Sequence, residues 1–133
     1  MALLQLAYLS RPFGFDDATL AGILLDARRC NMRDGITGAL IVRQDIYMQL
    51  LEGPKDLVEA AFQRIRLDDR HTDIRSVRRI RAESRIFGSW AMRDDPVKSW
   101  MWSREEIHAG KPEAAPNDEI LAIFRRLRLS LPV

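Results

Sequence analysis

An α+β domain, with two helices on one face of a mainly antiparallel sheet, is the fold class this sequence predicts. Three observations carry that prediction. Apolar residues alternate in the first segment, recur at helical spacing in two later ones, and fill two strand-like runs joined by the short link 43–45. In chain order these give strand, helix, strand, strand, helix, strand, strand. That is the ferredoxin-like arrangement, and further helices follow it at the C-terminus.

Residues 3–10 read as a strand, with Leu4, Leu6 and Tyr8 on one face and Leu3, Gln5, Ala7 and Leu9 on the other. After a loop through Pro12, Asp16 is placed to cap a helix and Asp17 to meet its dipole. Leu20, Ile23, Leu24 and Ala27 then mark a helix over 17–29. A turn at 31–35 leads into a continuous apolar strand, 36–42, and the link Arg43-Gln44-Asp45 suits a hairpin to a return strand, 46–51. Pro54 stands at the start of a second helix whose apolar stripe is Leu57, Val58, Ala61, Phe62 and Ile65. It ends at Asp68-Asp69-Arg70-His71. Residues 74–83 form an Arg-rich strand, and 85–92 a last strand with Trp90 and Met92 on one face. Asp94-Asp95-Pro96 is a break. Ser103 and Glu106 have the spacing of a capping box, and 110–116 reads as a Pro-containing linker. Asn117 is placed to cap a final helix with the stripe Ile120, Ile123, Phe124 and Leu127, which is expected to cover the open face of the sheet. The expected division is a domain over 1–93 and a helical extension over 94–133.

The composition excludes several classes. With 133 residues, 47% of them apolar and 30% charged, the chain can bury a core without disulfides or metal. A net charge of +2 calls for no polyanionic partner. No apolar run approaches the roughly 20 residues of a membrane helix, and the N-terminus lacks the basic region of a signal peptide. Lone Cys30 makes a reducing cytoplasm the expected location. His71 and His108 with one Cys do not make a zinc set.

Candidate chemistry starts at Gln49, an amide inside the apolar run 46–51. Burying an unpaired amide costs about 1–3 kcal/mol, so Gln49 is either a satisfied structural residue or a donor and acceptor aimed at a ligand. Tyr8 is either a core tyrosine with its hydroxyl at a rim or a partner in the same site. Asn31 is either a turn residue, as Asn often is after a helix, or a ligand contact. Cys30 reads as a small buried residue, and Trp90 and Met92 as core.

Taken together these residues resemble a family. The segments are Leu6-Ala-Tyr-Leu-Ser10, Ala27-Arg-Arg-Cys-Asn31, Gly35-Ile-Thr-Gly38, Tyr47-Met-Gln-Leu-Leu-Glu-Gly53, Asp68-Asp-Arg-His71 and Arg85-Ile-Phe-Gly-Ser-Trp-Ala-Met92. In order and spacing they resemble the BLUF domain, a blue-light sensor module that uses FAD. The resemblance covers residues 3 to about 93. It implies a flavin ring between the two helices on one face of the sheet, in FAD or in the smaller FMN or riboflavin. It implies that Tyr8 is the electron donor to the excited flavin and that Gln49 stands between that tyrosine and the ring. Asn31 would hold the ring's polar edge, Arg70 would serve that edge or the fold, and Trp90 and Met92 would be the last-strand residues that exchange on signalling. Ile23, Leu24, Leu57 and Ile65 are assigned here as apolar ring contacts. Cys30 departs from the Asn or His of many members, and no Gly-rich phosphate loop is present.

The rival readings are weaker. Arg75, Arg78, Arg79 and Arg81 make a basic strand that could hold phosphates, but no aromatic pair for stacking bases accompanies it, so nucleic acid is not an expected partner. A hydrolase would need a nucleophile and base pair, and neither histidine sits in such a motif. A flavin-free regulatory domain is disfavoured by Tyr8, Asn31 and Gln49 occurring together. The expectation is therefore a sensor and not an enzyme. It has no membrane contact, forms a homo-oligomer and signals to an unidentified downstream protein.

Overall fold

The structure is a computed structural model that describes residues 3–13, 16–88, 92–96 and 100–130, with the backbone alone for 93–96. The elements are β1 (Leu3–Pro12), α1 (Asp17–Asp34), β2 (Thr37–Arg43), β3 (Ile46–Gly53), α2 (Lys55–Arg66), β4 (His71–Ala82) and β5 (Arg93–Pro96), then α3 (Arg104–His108), α4 (Lys111–Ala114) and α5 (Asn117–Ser130). The sheet order is β4-β1-β3-β2-β5. The first four of these pair antiparallel, while β5 runs parallel to β2. This is the ferredoxin-like order expected from the pattern, extended by one strand.

The central strands β1 and β3 are buried on both faces, which is why their sequences are apolar almost throughout. Leu6, Tyr8, Leu40, Tyr47 and Leu51 point to the layer of α1 and α2, where Leu24, Val58 and Phe62 meet them. Ala7, Leu9, Ile41, Met48 and Leu50 point the other way and pack with Phe87, Ile107, Ile120, Phe124 and Leu127. The final helix thus covers the open face, as its stripe implied. Gly38 lets β2 and β3 approach closely, since a Cβ there would stand 1.9 Å from the Leu50 carbonyl oxygen. The hairpin link is braced by an ion pair of Arg43 with Asp45.

Several boundaries differ from the sequence reading, each for a physical reason. α1 runs to Asp34, past the expected stop at 29, because Gly35 (φ 68°) supplies the left-handed cap and its region closes back on the Asn31 carbonyl. Asn31 is therefore helical and buried, not a turn residue. Residues 85–88 bend instead of pairing as a strand, because the Glu52 carboxylate takes the N–H groups of Ile86 and Phe87 at 2.6 and 2.8 Å. The last strand lies instead at 93–96, where a break was expected. Ala39, Leu40, Ile41 and Val42 of β2 offer it a free edge, and an edge tolerates Pro96.

The 110–116 linker contains α4, and Asn117 does not cap α5 but is its first residue, its Oδ1 accepting from Arg78 at 2.9 Å. The capping box of Ser103 and Glu106 forms as the spacing implied. The Arg-rich strand is a braced edge. Arg75 pairs with Glu113, Arg79 with Glu59, and Arg78 donates to the carbonyls of Pro112 and Glu113. No helix among the described residues is long and apolar enough to cross a membrane.

Candidate functional site

A cavity of ≈ 270 Å³ lies between α1 and α2, above the middle of the sheet. Its floor is Tyr8 from β1, Leu40 from β2, and Tyr47, Gln49 and Leu51 from β3. α1 contributes Ile23, Ala27 and Asn31, three residues four apart and so stacked on one helix face, with Cys30 beside them. α2 contributes Ala61, Arg64 and Ile65, the turn before β4 contributes Asp68 and Arg70, and β4 contributes its first residue, His71. Leu24 and Leu57, expected among the ring contacts, do not line it. Leu24 is turned into the apolar core beneath, and Leu57 in the first turn of α2 is 39% exposed.

Tyr8 and Gln49 meet because β1 and β3 register them directly opposite each other. The Tyr8 hydroxyl donates to Gln49 Oε1. On its other side Gln49 Nε2 donates to the Met92 sulfur at 3.6 Å. A thioether is a weak acceptor, and an amide nitrogen carries two N–H groups. Among the described residues Met92 is the sole partner of Nε2, so a 4%-exposed amide holds donor capacity beside a cavity. Arg28 of α1 fixes the Met92 backbone by donating to its carbonyl at 3.1 Å. Trp90 lies outside the described residues.

Burial, then the negative charge of Asp68, holds the Tyr8 phenol well above the usual tyrosine value. Tyr47, on the same floor, is also raised, chiefly by burial. Tyr8 is therefore held as a neutral phenol. Its ring packs against Phe62 (centroids 5.4 Å apart) and the edge of His71. His71 Nε2 lies 2.7 Å from the Ile65 carbonyl, which can only accept, so Nε2 carries the proton; Nδ1 then faces the Ser10 hydroxyl at 2.7 Å.

Arg70 sits at the rim. It donates to Asp68 and reaches Asp26 of α1 at 3.1 Å, which ties the turn before β4 to α1. Hydrogen bonding to Arg70 holds the Asp68 carboxyl below its usual range, and the same contact raises the guanidinium. Arg70 is thus engaged by two carboxylates while still lining the cavity. Its Nη1 would lie 3.3 Å from a Cβ on Gly22, so α1 passes close to it there.

Sequence reasoning missed Tyr47, although it lies two residues from Gln49 on the same strand face, a signal that alternation carries. It also missed Asp68 and His71 as wall residues, for which no local pattern exists.

The residues present suit a flavin ring. The polar edge of that ring alternates acceptors and a donor, which two carboxamides, Asn31 and Gln49, can match, and apolar Ile23, Leu40, Leu51 and Ile65 can take its faces. A family model supports this: BLUF, "sensors of blue-light using FAD", matches residues 3–93. The chain is 38% identical over 94 residues to the photoactivated adenylate cyclase subunit beta of Euglena gracilis, covering 68% of this chain and 11% of that protein. It is 34% identical over 88 residues to the alpha subunit, covering 65% and 9%. It therefore spans about a tenth of the length of these relatives. Among solved structures, "BlrB - a BLUF protein, dark state structure" superposes with a TM-score of 0.77 at 29% identity over 97% of each chain. BlsA in its ground state shares the fold, with a TM-score of 0.80 at 22% identity over 98% of this chain and 91% of that one. The fold and site are those of a flavin-binding light sensor. The chain belongs to the BLUF family.

Proposed function

We propose that this chain binds FAD in the cavity and senses blue light through Tyr8 and Gln49, passing the signal to a second copy of itself or to a separate protein. The observation that carries this reading is the Gln49 amide, which accepts from Tyr8 on one side and keeps a donor available beside the cavity on the other. A bound flavin supplies blue-light absorption and, once excited, an acceptor for one electron. Tyr8 is the adjoining donor. When the phenol loses an electron its proton becomes strongly acidic, and that proton already points at Gln49 Oε1. The Tyr8 O–H bond would break as an O–H bond forms at Oε1, and a proton leaving Nε2 would go to the bound flavin that has taken the electron, one electron and one proton returning from there to Tyr8 afterwards. Gln49 then settles tautomerised or rotated when Tyr8 recovers its proton and electron. Either outcome changes the hydrogen bond that Gln49 offers to the cavity and to Met92.

Asn31 would hold the ring's polar edge, and Ile23, Ala27, Leu40, Leu51 and Ile65 its faces. Ligand pockets commonly measure about 300–1,000 Å³. The ≈ 270 Å³ here suits a ring more than a whole dinucleotide, so the part held inside would be common to FAD, FMN and riboflavin. Arg29, Arg64 and Arg70 line the cavity, each already facing a carboxylate of Asp26, Asp34 or Asp68, and a phosphate would have to share them. The Euglena relatives are photoactivated cyclases, but the matched portion is a small fraction of them. In this reading the present chain is a sensor and performs no turnover. A reducing cytoplasm, as expected from lone Cys30, remains the proposed location.

The test is the absorption of the purified protein loaded with FAD, before and after blue light. A small red shift of the flavin bands that reverses in the dark is expected. Protein that binds no flavin, or binds it and shows no shift, would overturn the proposal.

A further inference from the structure

Glu52 is fully buried, on the same strand as Gln49 but on the opposite face. Its carboxylate accepts three hydrogen bonds: from Gln5 Nε2 at 2.9 Å, from the Ile86 N–H at 2.6 Å and from the Phe87 N–H at 2.8 Å. Every one of these partners is a donor to its two oxygens. Arg85 adds a second tie from the same segment, donating to the Glu52 carbonyl at 3.0 Å and to Thr37 and the Gly35 carbonyl. Residues 85–87 are thus fastened to β3 and to the start of β2. The chain then continues to Met92, whose sulfur touches Gln49 and whose carbonyl is held by Arg28. Phe87, itself fully buried, stands edge-on to Phe124 of α5 with centroids 6.4 Å apart.

We propose that Glu52 is a positioning residue of the light reaction: its carboxylate fixes Ile86 and Phe87 to the strand that carries Gln49 and, through Phe87, ties that strand to α5. This rests on the reading that Gln49 changes state in light. A carboxylate held by three donors places 86 and 87 within a narrow range, so a change at Gln49 that reaches β3 is passed to the Phe87–Phe124 contact. A packed aromatic pair moves as a unit, which makes α5 the element that reads the change.

The test compares wild type with Glu52→Gln, which keeps the size of the side chain but leaves one oxygen to accept. In the dark, exchange of the Ile86 and Phe87 amide protons should be slow in wild type and at least about tenfold faster in the variant, with or without flavin. In light, the variant should form a red shift of wild-type size, because Tyr8 and Gln49 are untouched. Its return to the dark state should differ in rate from wild type by threefold or more. The light-minus-dark difference in deuterium uptake over 117–130, expected in wild type, should be lost. A merely structural role would raise uptake in both states and leave their difference and the recovery rate unchanged; that result overturns the proposal. Fast exchange at 86 and 87 in wild type does so as well. Absence of any red shift in wild type would overturn the proposed function and this inference together, whereas a normal shift with unchanged recovery and uptake overturns this inference alone. Should Glu52→Gln fail to fold, Gln5→Leu removes one donor and leaves the two N–H bonds; the same changes are expected at smaller size, and wild-type behaviour overturns the proposal.

Discussion

The two faces of β3 each bury one polar side chain, and they treat it in opposite ways. Toward α1 and α2, Gln49 has one strong partner, Tyr8, one weak partner, Met92, and a cavity beside it. Toward α5, Glu52 has three donors and sits in a packed wall with Leu50 and Phe87. Burial alone therefore does not mark a functional residue. What separates the two is hydrogen-bonding capacity left over and a space in which to use it. The helix side is built to receive a ligand, and the other side to hold the sheet and its C-terminal cover together.

Substitutions on each face can break that contrast. The largest expected stability effect is on the packed side. Phe124→Ala removes a fully buried ring and should lower unfolding free energy by about 3–5 kcal/mol in a denaturant titration. Protein that remains folded should still bind flavin and shift in light. A loss of flavin at unchanged stability would mean that the two faces are not separate in the way described. A smaller and opposite effect is expected from Asn31→Ala. Loss of one buried amide contact, worth about 1–2 kcal/mol, should weaken flavin binding roughly tenfold, read by equilibrium titration of flavin fluorescence. An unchanged dissociation constant would remove Asn31 from the binding set.

Much of this was legible because it is local. Alternation in 3–10 put Tyr8 on the Leu4/Leu6 face, and the spacing of Ser103 and Glu106 foretold a capping box that forms. The stripe Ile120, Phe124 and Leu127 announced a buried helix face. What misled was tertiary. Asn31 looked like a turn residue, but the residue that can adopt the left-handed cap is Gly35, so the helix continues and carries Asn31 to the cavity. Residues 85–92 looked like a strand, but a carboxylate more than thirty residues earlier in the chain claims the N–H groups of Ile86 and Phe87. Leu24 and Leu57 sit on apolar stripes as anticipated, yet a stripe spans more than one direction. The line Ile23, Ala27 and Asn31 is the one that faces the cavity. His71 reaches the wall because β4 pairs with β1 there and its ring is held by Ile65 and Ser10, and Asp68 through its contacts with Arg70, which also reaches Asp26 of α1.

The central claim is that Tyr8 and Gln49 act as one hydrogen-bonded unit beside a bound flavin. Its most direct test is the light-minus-dark absorption spectrum of wild type, Tyr8→Phe and Gln49→Leu, each loaded with FAD to the same occupancy. Both variants should hold the flavin and show none of the reversible red shift that wild type shows. A wild-type shift persisting in either variant would contradict the account for that residue, and persisting in both would remove the pair from the mechanism.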